Sequence, residues 1–337
     1  MKKAKKPVTL VGVAEYLGVS TATVSLALRD KEGVAAKTRD RVQKAVKKLG
    51  YVYNRSAARL RTHRSYTIGL IVPNLLNPFF TELTNSVEEQ LEAADWSLLL
   101  AKTSENMSSQ VRALRTMMEY GVDGLLLCPA PGTSAVDLSG IVNSKIPFAV
   151  FTRPVEGIDT DYIGADNFYG TKLAAEYLIG GGHKKIAFIG GLPDSVTRKE
   201  RFRGFLKALK DGGISTRKEF NVEGDTSLDG GYGGIKKLLG IKDPPTAAVC
   251  FNDVVAFGVI LGLWAAQITP GKNFSVIGFD NISDSSLWSP PLTTVSTPPQ
   301  QIGREAVRLI LERIQSPRKE TERVILPPSL IVRGSCG

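Results

Sequence analysis

Histidine and cysteine are scarce in this chain of 337 residues, with two of the first and three of the second. Their scarcity removes whole classes of chemistry. His63 lies in a basic linker, and Gly-Gly-His183-Lys-Lys reads as a turn entering a strand, so neither is placed as a general base. Cys128, Cys250 and Cys336 are odd in number and far apart, and the first two end apolar strand-like runs. Buried thiols in a reducing compartment fit that pattern better than a disulfide or a metal site. No HExxH, CxxC, P-loop or GxSxG pattern occurs, and the Gly190-Gly191 pair lacks dinucleotide spacing. Catalysis therefore has no constellation behind it, and neither a metal nor a cofactor is expected. Also missing is an apolar run of membrane-spanning length. The basic opening Met1–Pro7 is followed only by the short Val8–Val13 segment before Glu15, which makes no export signal, so a cytoplasmic protein is expected.

What the chain does have is positive charge in one place. Residues 1–64 hold 16 Lys/Arg against four Asp/Glu, a formal +12, while residues 65–337 hold 27 against 29, a formal −2. A charge so confined suggests a phosphate-binding head on an ordinary globular body, because neutralising nucleic-acid phosphates releases counterions. The length is too great for one typical compact core, and the charge step near residue 65 proposes a boundary.

Within the head, Val13, Ala14, Leu17, Val19, Val24, Ala27 and Leu28 place apolar groups on one side of two short helices. Gly18 supplies the turn between them and Ser20 can cap the second. This is helix-turn-helix spacing, and it leaves Thr21, Ala22, Ser25 and Leu26 near the start or outer face of the second helix, where a major groove is read. A third helix, roughly Lys37–Leu49, has Val42, Ala45, Val46 and Leu49 as its buried stripe. Spacing alone leaves open a basic module that binds protein or only solvates the surface. The segment Asn54–Arg61 favours helix but is too short to hold one in isolation, so it should order only when something covers it.

After residue 65, short apolar runs alternate with amphipathic stretches. Strands are predicted at Thr67–Val72, Trp96–Ala101, Gly124–Cys128, Phe148–Phe151, Lys185–Ile189, Ala247–Phe251 and Ser275–Phe279, with helix patterns between them. Strands so continuously apolar indicate parallel sheets covered on both faces. The repetition changes over near Asp161–Asn167 and again near Leu292–Pro299, which predicts two similar lobes joined by three passages of the chain. Ligands in such folds bind at the carboxyl ends of strands. Candidate cleft residues are therefore Asn74, Phe79, Thr152, Arg153, Asp166, Asn252, Asp253, Asp280 and Asn281, each of which read alone is equally a turn or cap residue.

Over its entire length the chain resembles the lactose/galactose repressor family of bacterial transcription regulators. The resemblance rests on Val8-Thr9-Leu10, Val13-Ala14, Gly18-Val19-Ser20, Thr23-Val24-Ser25, Thr38-Arg39, Val42 and Leu49-Gly50-Tyr51, with Asn54, Ala57 and Leu60 matching the hinge pattern. It implies an α/β fold with a two-lobed, periplasmic-binding-protein-like body of parallel sheets, preceded by an all-α helix-turn-helix head. The implied boundaries are 1–53 for the head, 54–65 for the hinge and linker, 66–163 with 293–325 for one lobe, and 164–292 with 326–337 for the other. The implied partners are a palindromic double-stranded operator bound as a homodimer and a small-molecule effector, in a nucleoid-associated cytoplasmic protein that represses carbohydrate genes. Base and phosphate contacts would fall on Thr9, Ser20, Thr21, Ala22, Thr23, Ser25, Leu26 and Arg29. Asn54, Ala57, Arg59 and Leu60 would form the minor-groove hinge, with Leu60 as the wedge.

For the effector, the resemblance points to Arg201, Asn252 and Asp280, with Phe79 on the near wall; Asn74, Thr152 and Arg153 join them by their place after strands, and Ser195, Thr197 and Thr226 complete the expected set. A carboxylate and a guanidinium beside an aromatic ring suit a sugar. The chain departs from the family at Gly12, Ala35 and Arg29 in the head, at Thr152 where an Asp is frequent, and at Thr226 where many members place an aromatic. The Ser195–Phe205 run and the Phe151-Thr152-Arg153 turn look closer to the maltose-system branch, which favours a sugar or sugar phosphate. Arg153 with Arg201 would equally accept a carboxylate or phosphate, so the effector class stays open. The alternative is a binding protein for a sugar, purine or carboxylate with no role in gene regulation. Confined charge makes a sharp distinction: operator affinity should fall about a thousandfold or more between about 50 and about 200 mM salt. A flat dependence in a fluorescence-anisotropy titration would exclude phosphate-driven docking.

Overall fold

The computed structural model describes residues 8–28, 33–51, 64–317 and 320–336. The chain divides into two compact units, Met1–Ser65 and Tyr66–Gly337.

In the head, helix α1 (Leu10–Leu17) opens on Thr9, whose Oγ1 accepts the Gly12 N–H at 3.2 Å. It ends where Gly18 turns left-handed at φ 67° and returns its N–H to Ala14 and Glu15. Helix α2 (Thr21–Leu28) is capped by Ser20, whose Oγ accepts the Thr23 N–H at 3.0 Å. Helix α3 (Ala36–Leu49) has no such cap at Ala35, an omission that costs about 1 kcal/mol relative to serine. Val13, Ala14, Val24, Ala27, Val42 and Tyr51 form one buried cluster among the three helices. The periodic positions read from the sequence are those that pack. Arg29, Asn54, Ala57, Arg59 and Leu60 lie outside the described residues.

The body alternates strand and helix in chain order: β1 (Thr67–Val72), α4 (Pro78–Ala93), β2 (Ser97–Lys102), α5 (Met107–Tyr120), β3 (Gly124–Leu127), α6 (Ser139–Ser144), β4 (Phe148–Phe151) and β5 (Asp161–Ala165). The second half continues with α7 (Asn167–Gly180), β6 (Ile186–Ile189), α8 (Val196–Asp211), β7 (Asn221–Val222), α9 (Leu228–Leu239), β8 (Ala247–Cys250), α10 (Asp253–Ala265) and β9 (Ser275–Asp280). It closes with β10 (Thr293–Ser296), α11 (Pro299–Gln315), β11 (Arg323–Leu326) and β12 (Ser329–Ile331). The strands form two six-stranded sheets, ordered β11-β5-β4-β3-β1-β2 and β12-β10-β9-β8-β6-β7. Every pairing is parallel except that of β12 with β10. Central strands such as β3, β8 and β9 are buried at every position, as continuous apolar runs require when helices cover both faces.

All seven predicted strands are present, and five more were not read as strands. Thr293–Ser296 corrects a boundary: these residues pair with β9 in the second sheet, so the second passage between lobes falls at residues 297–298 and not at 293. The other two passages fall at 166, after β5, and at 327–328, after β11, a residue or two beyond the expected limits. Thr293 and Thr294 are fully buried, with hydroxyls bonded to the Arg333 carbonyl and the Asp253 carboxylate. The three thiols are free and buried, and burial pushes Cys128 up to about 11 and Cys336 up to about 12. His183 is structural: its ring nitrogens meet the hydroxyls of Thr246 and Ser275 at 2.9 and 3.0 Å.

Helices α9 and α10 pack nearly backbone to backbone. A Cβ added to Gly258 would meet the Leu228 carbonyl at 2.0 Å, and one added to Gly231 would meet the Val255 carbonyl at 2.0 Å. Because the obstacle is main chain, it has no rotamer through which to yield. Gly258→Ala should therefore destabilise the body by about 2 kcal/mol or more, read as a lowered denaturation midpoint at unchanged m-value. An unaltered midpoint would show that the two helices separate freely.

Candidate ligand-binding cleft

The facing ends of the two sheets enclose a small cavity of about 50 Å³. Its second-lobe wall is organised by Arg201, on the inward face of α8. The helix starts at Ser195, and the buried positions Thr197, Arg198, Arg201, Gly204 and Phe205 follow at helical spacing. Arg201 donates from Nε to Asn167 Oδ1 at 2.9 Å, from Nη1 to the Phe251 carbonyl, and from Nη2 to Asp280 Oδ1 at 3.4 Å. Its guanidinium lies 3.5 Å from the centre of the Phe279 ring and 4.9 Å from that of Phe251. Asp280 ends β9 with φ 115°, and burial pushes its carboxyl up to about 7, with Arg201 drawing it back down.

Beside this pair stand Asn252 and Thr197. Asn252 caps α10 by accepting the Val255 N–H at 2.9 Å, which commits its carbonyl oxygen and leaves its amide donors for a ligand. The Thr197 hydroxyl is buried and has no hydrogen-bond partner among the described residues. Such an orphan costs about 1–3 kcal/mol, which a ligand hydroxyl would offset. The first lobe supplies Phe79, Asn77, Thr152, Ala165 and Ile302. Phe79 is held edge-on against Phe80 at 5.1 Å, and Thr152 sits at φ 58° with its hydroxyl 2.9 Å from the Cys128 sulfur. Phe79, Thr152, Thr197, Arg201, Asn252 and Asp280 thus meet in one place, although the first and last are 201 positions apart.

Four expected residues do not line this cavity. Arg153 turns away: its two terminal nitrogens grip Glu105 at 2.5 and 2.8 Å, and one of them also donates to the Pro129 carbonyl at 3.0 Å. A bidentate carboxylate outcompetes an open cleft for a guanidinium. Asn74 accepts the N–H groups of Leu76 and Asn77 and shapes a turn. Ser195 is buried as the cap of α8, and Thr226 is half-buried away from the cavity. Of the other post-strand residues, Asp253 is fully buried under Ile282 N–H, Ser285 and Thr294, and burial raises its carboxyl to about 6. Asp166 caps α7, and Asn281 accepts from Arg333 at 2.7 Å. Residues that sequence reasoning missed are Asn77, Ala165, Asn167, Phe251, Thr297 and Ile302. Two of these were one step from a signal, since Asn167 follows the expected Asp166 and Phe251 precedes Asn252.

The lobes are also latched outside the cavity. Glu82, on α4 of the first lobe, accepts from the Ser283 N–H at 2.9 Å and the Ser283 hydroxyl at 2.7 Å across the gap, and from Gln300 at 2.9 Å. In the head, Ala22 is exposed and Thr21, Thr23 and Leu26 are half-buried. Ser25 is buried, which corrects its expected outer-face position: on α2 it lies beside Val24 on the core side. The hydroxyls of Thr9 and Ser20 are spent on capping, and Thr23 Oγ1 lies 2.8 Å from Ser20 Oγ. Among the described residues no group of three His, Cys, Asp or Glu could hold a metal ion. No single helix there is long and apolar enough to cross a membrane.

Comparison with known proteins agrees with this division of labour. Residues 9–54 match the model of bacterial regulatory proteins of the lacI family, and residues 65–333 match that of periplasmic binding proteins and the sugar-binding domain of the LacI family. The chain is 33% identical over 328 residues to the HTH-type transcriptional repressor PurR of Mannheimia succiniciproducens, covering 97% of this chain and 98% of that one. It is similar to the lac repressor dimer bound to operator and the anti-inducer ONPF, with a TM-score of 0.86, 28% identity, and 98% and 99% of the two chains covered. It is also similar to a LacI-family regulator from Enterococcus faecium with bound ribose, with a TM-score of 0.72, 30% identity, and 80% and 98% covered. With a helix-turn-helix head and a two-lobed ligand-binding body in one chain, the protein belongs to the LacI family of bacterial transcription regulators and not to a family of enzymes.

Proposed function

We propose that the protein is a repressor of carbohydrate uptake or catabolism genes in the bacterial cytoplasm, bound to the nucleoid at palindromic operators as a homodimer, and that its effector is an unphosphorylated sugar. The observation that carries the reading is the Arg201–Asp280 pair beside the unpartnered Thr197 hydroxyl and the rings of Phe79 and Phe251. Donors, acceptors and aromatic faces in that mixture fit a ligand made of hydroxyls on a ring. With Asp280 ionised the charge within the cleft balances, because Arg201 faces Asp280 and Arg153 is sealed against Glu105. A phosphate or carboxylate would lack an uncommitted cation there. The enterococcal relative with bound ribose supports a compact sugar, and the resemblance of residues 195–205 to the maltose-system branch supports a carbohydrate without fixing its size.

A cavity of about 50 Å³ holds a few waters and no sugar, so the effector enters only when the lobes move apart. Ligand binding and lobe arrangement are thereby coupled, by no more than the ligand's differential affinity for the two arrangements. Paired heads would dock on half-sites about one helical turn apart.

A calorimetric screen of monosaccharides, their phosphates and purines against the full-length protein tests the reading. An unphosphorylated sugar should bind, Arg201→Met should weaken it at least about tenfold, and Arg153→Met should leave it within about twofold. Tighter binding of a sugar phosphate or purine would overturn it. Asp280 adds a pH dependence. As a carboxylate it accepts ligand hydroxyls; protonated, it loses an acceptor and leaves the Arg201 charge uncompensated. Its carboxyl titrates near 7, so sugar affinity should fall as pH drops through that value and level off above it. Isothermal titrations at about pH 6 and about pH 8 should differ for the natural protein and agree for Asp280→Asn.

A further inference from the structure

A second cavity, of about 220 Å³, adjoins the first where the chain passes between the lobes. Tyr162, Arg323 and Ile325 line it from strands β5 and β11 of the first lobe, and Phe168, Glu200 and Arg203 from helices α7 and α8 of the second. Asp166 Oδ1 accepts the Tyr169 N–H at 2.8 Å, and Glu200 Oε2 accepts from Asn167 Nδ2 at 2.9 Å, so each carboxylate is oriented by a neutral donor and keeps its charge. Neither is paired with a cation of the cavity. Among the described residues neither guanidinium has a hydrogen bond or a carboxylate partner; Arg203 lies over the Phe168 ring at 5.8 Å and Arg323 over the Tyr162 ring at 4.5 Å. Stacking orients a guanidinium while leaving its in-plane N–H donors open, which is the geometry that receives an oxyanion.

We propose that this cavity is a second ligand site, for a small molecule bearing a phosphate or carboxylate group, and that its occupant is sensed in the cleft through Asn167. That one amide faces both cavities: Nδ2 donates to Glu200 and Oδ1 accepts from Arg201, each at 2.9 Å. An anion held by Arg203 and Arg323 has the same sign as Glu200 and repels it. Moving Glu200 releases the amide that orients Arg201, so the anion weakens sugar binding, and by reciprocity sugar weakens the anion. The walls come from both lobes, so the site also responds to their arrangement. The coupling rests on the sugar reading above, whereas the anion site itself does not.

The test uses the full-length protein with inorganic phosphate and succinate as probes, against chloride at matched ionic strength. About 10 mM of at least one probe should raise the melting temperature of the natural protein by about 2 °C or more. The Arg203→Gln/Arg323→Gln variant, altered at two exposed positions, should lose that rise while melting as before in chloride. Whichever probe gives the larger rise identifies the group recognised. An equal rise in both proteins would place the anion elsewhere, on the basic head for instance, and overturn the site, as would no rise in either. In calorimetric titrations the effective anion should lower sugar affinity about fivefold in the natural protein and not in the variant. Anion binding with unchanged sugar affinity would overturn the Asn167 link. If no sugar binds at all, the fault lies with the effector reading, and the melting data still decide the cavity.

Discussion

A buried guanidinium governs the geometry of the cleft. Removing a charge from water costs several kcal/mol after relaxation, and a single carboxylate contact at 3.4 Å does not offset that. Arg201 persists because each side-chain nitrogen finds a fixed acceptor on a different element: Asn167 at the start of α7, the carbonyl at the end of β8, and Asp280 at the end of β9. Two phenylalanine faces, Phe279 and Phe251, hold the plane. Three elements brought together from across the second half of the chain are thus registered against one planar group. Lysine keeps the charge but not the fork, so it would not register them in the same way.

The same constraint explains why the cleft is a sensor and not only a container. Arg201 and Asp280 sit on one lobe, and Phe79 and Thr152 on the other, so a ligand touching both must read their separation. Glu82 already spans that separation through Ser283, and it does so at the protein surface, where water competes for both partners. A weak latch is what a switch requires. Were the lobes locked by several kcal/mol, a small effector lacking comparable differential affinity could not move them.

How much of this could be read from the sequence depended on how local the signal was. Continuous apolar runs such as Leu125–Leu127 and Ala247–Val249 announced central strands, because both faces of a parallel sheet are buried. Strands at lobe passages or edges escaped. Arg323–Leu326 alternates exposed and buried, Asn221–Val222 is two residues long, and Thr293–Ser296 buries hydroxyls that look like turn chemistry. In the cleft, Thr152, Asn252 and Asp280 follow strands that apolar runs announce, whereas Thr297 follows a strand without that signal, and Asn77 and Asn167 look like ordinary helix-start asparagines. Arg153 was misplaced for a related reason. Its partner Glu105 is 48 positions away, and no local pattern connects them.

That partnership shapes what the cleft accepts. Ser104 and Glu105 both adopt left-handed backbone, at φ 53° and 59°, a conformation that costs non-glycine residues roughly 1 kcal/mol or more each. The loop bears this strain at the position from which Glu105 meets Arg153 with both carboxylate oxygens, so fold stability is traded for one ion pair. Without it, Arg153, directly after the cleft residue Thr152, would be a second cation next to a ligand-binding surface that otherwise balances. The positive charge of Arg153 is thus held away from the cleft by Glu105, a residue that does not line the ligand cavity either.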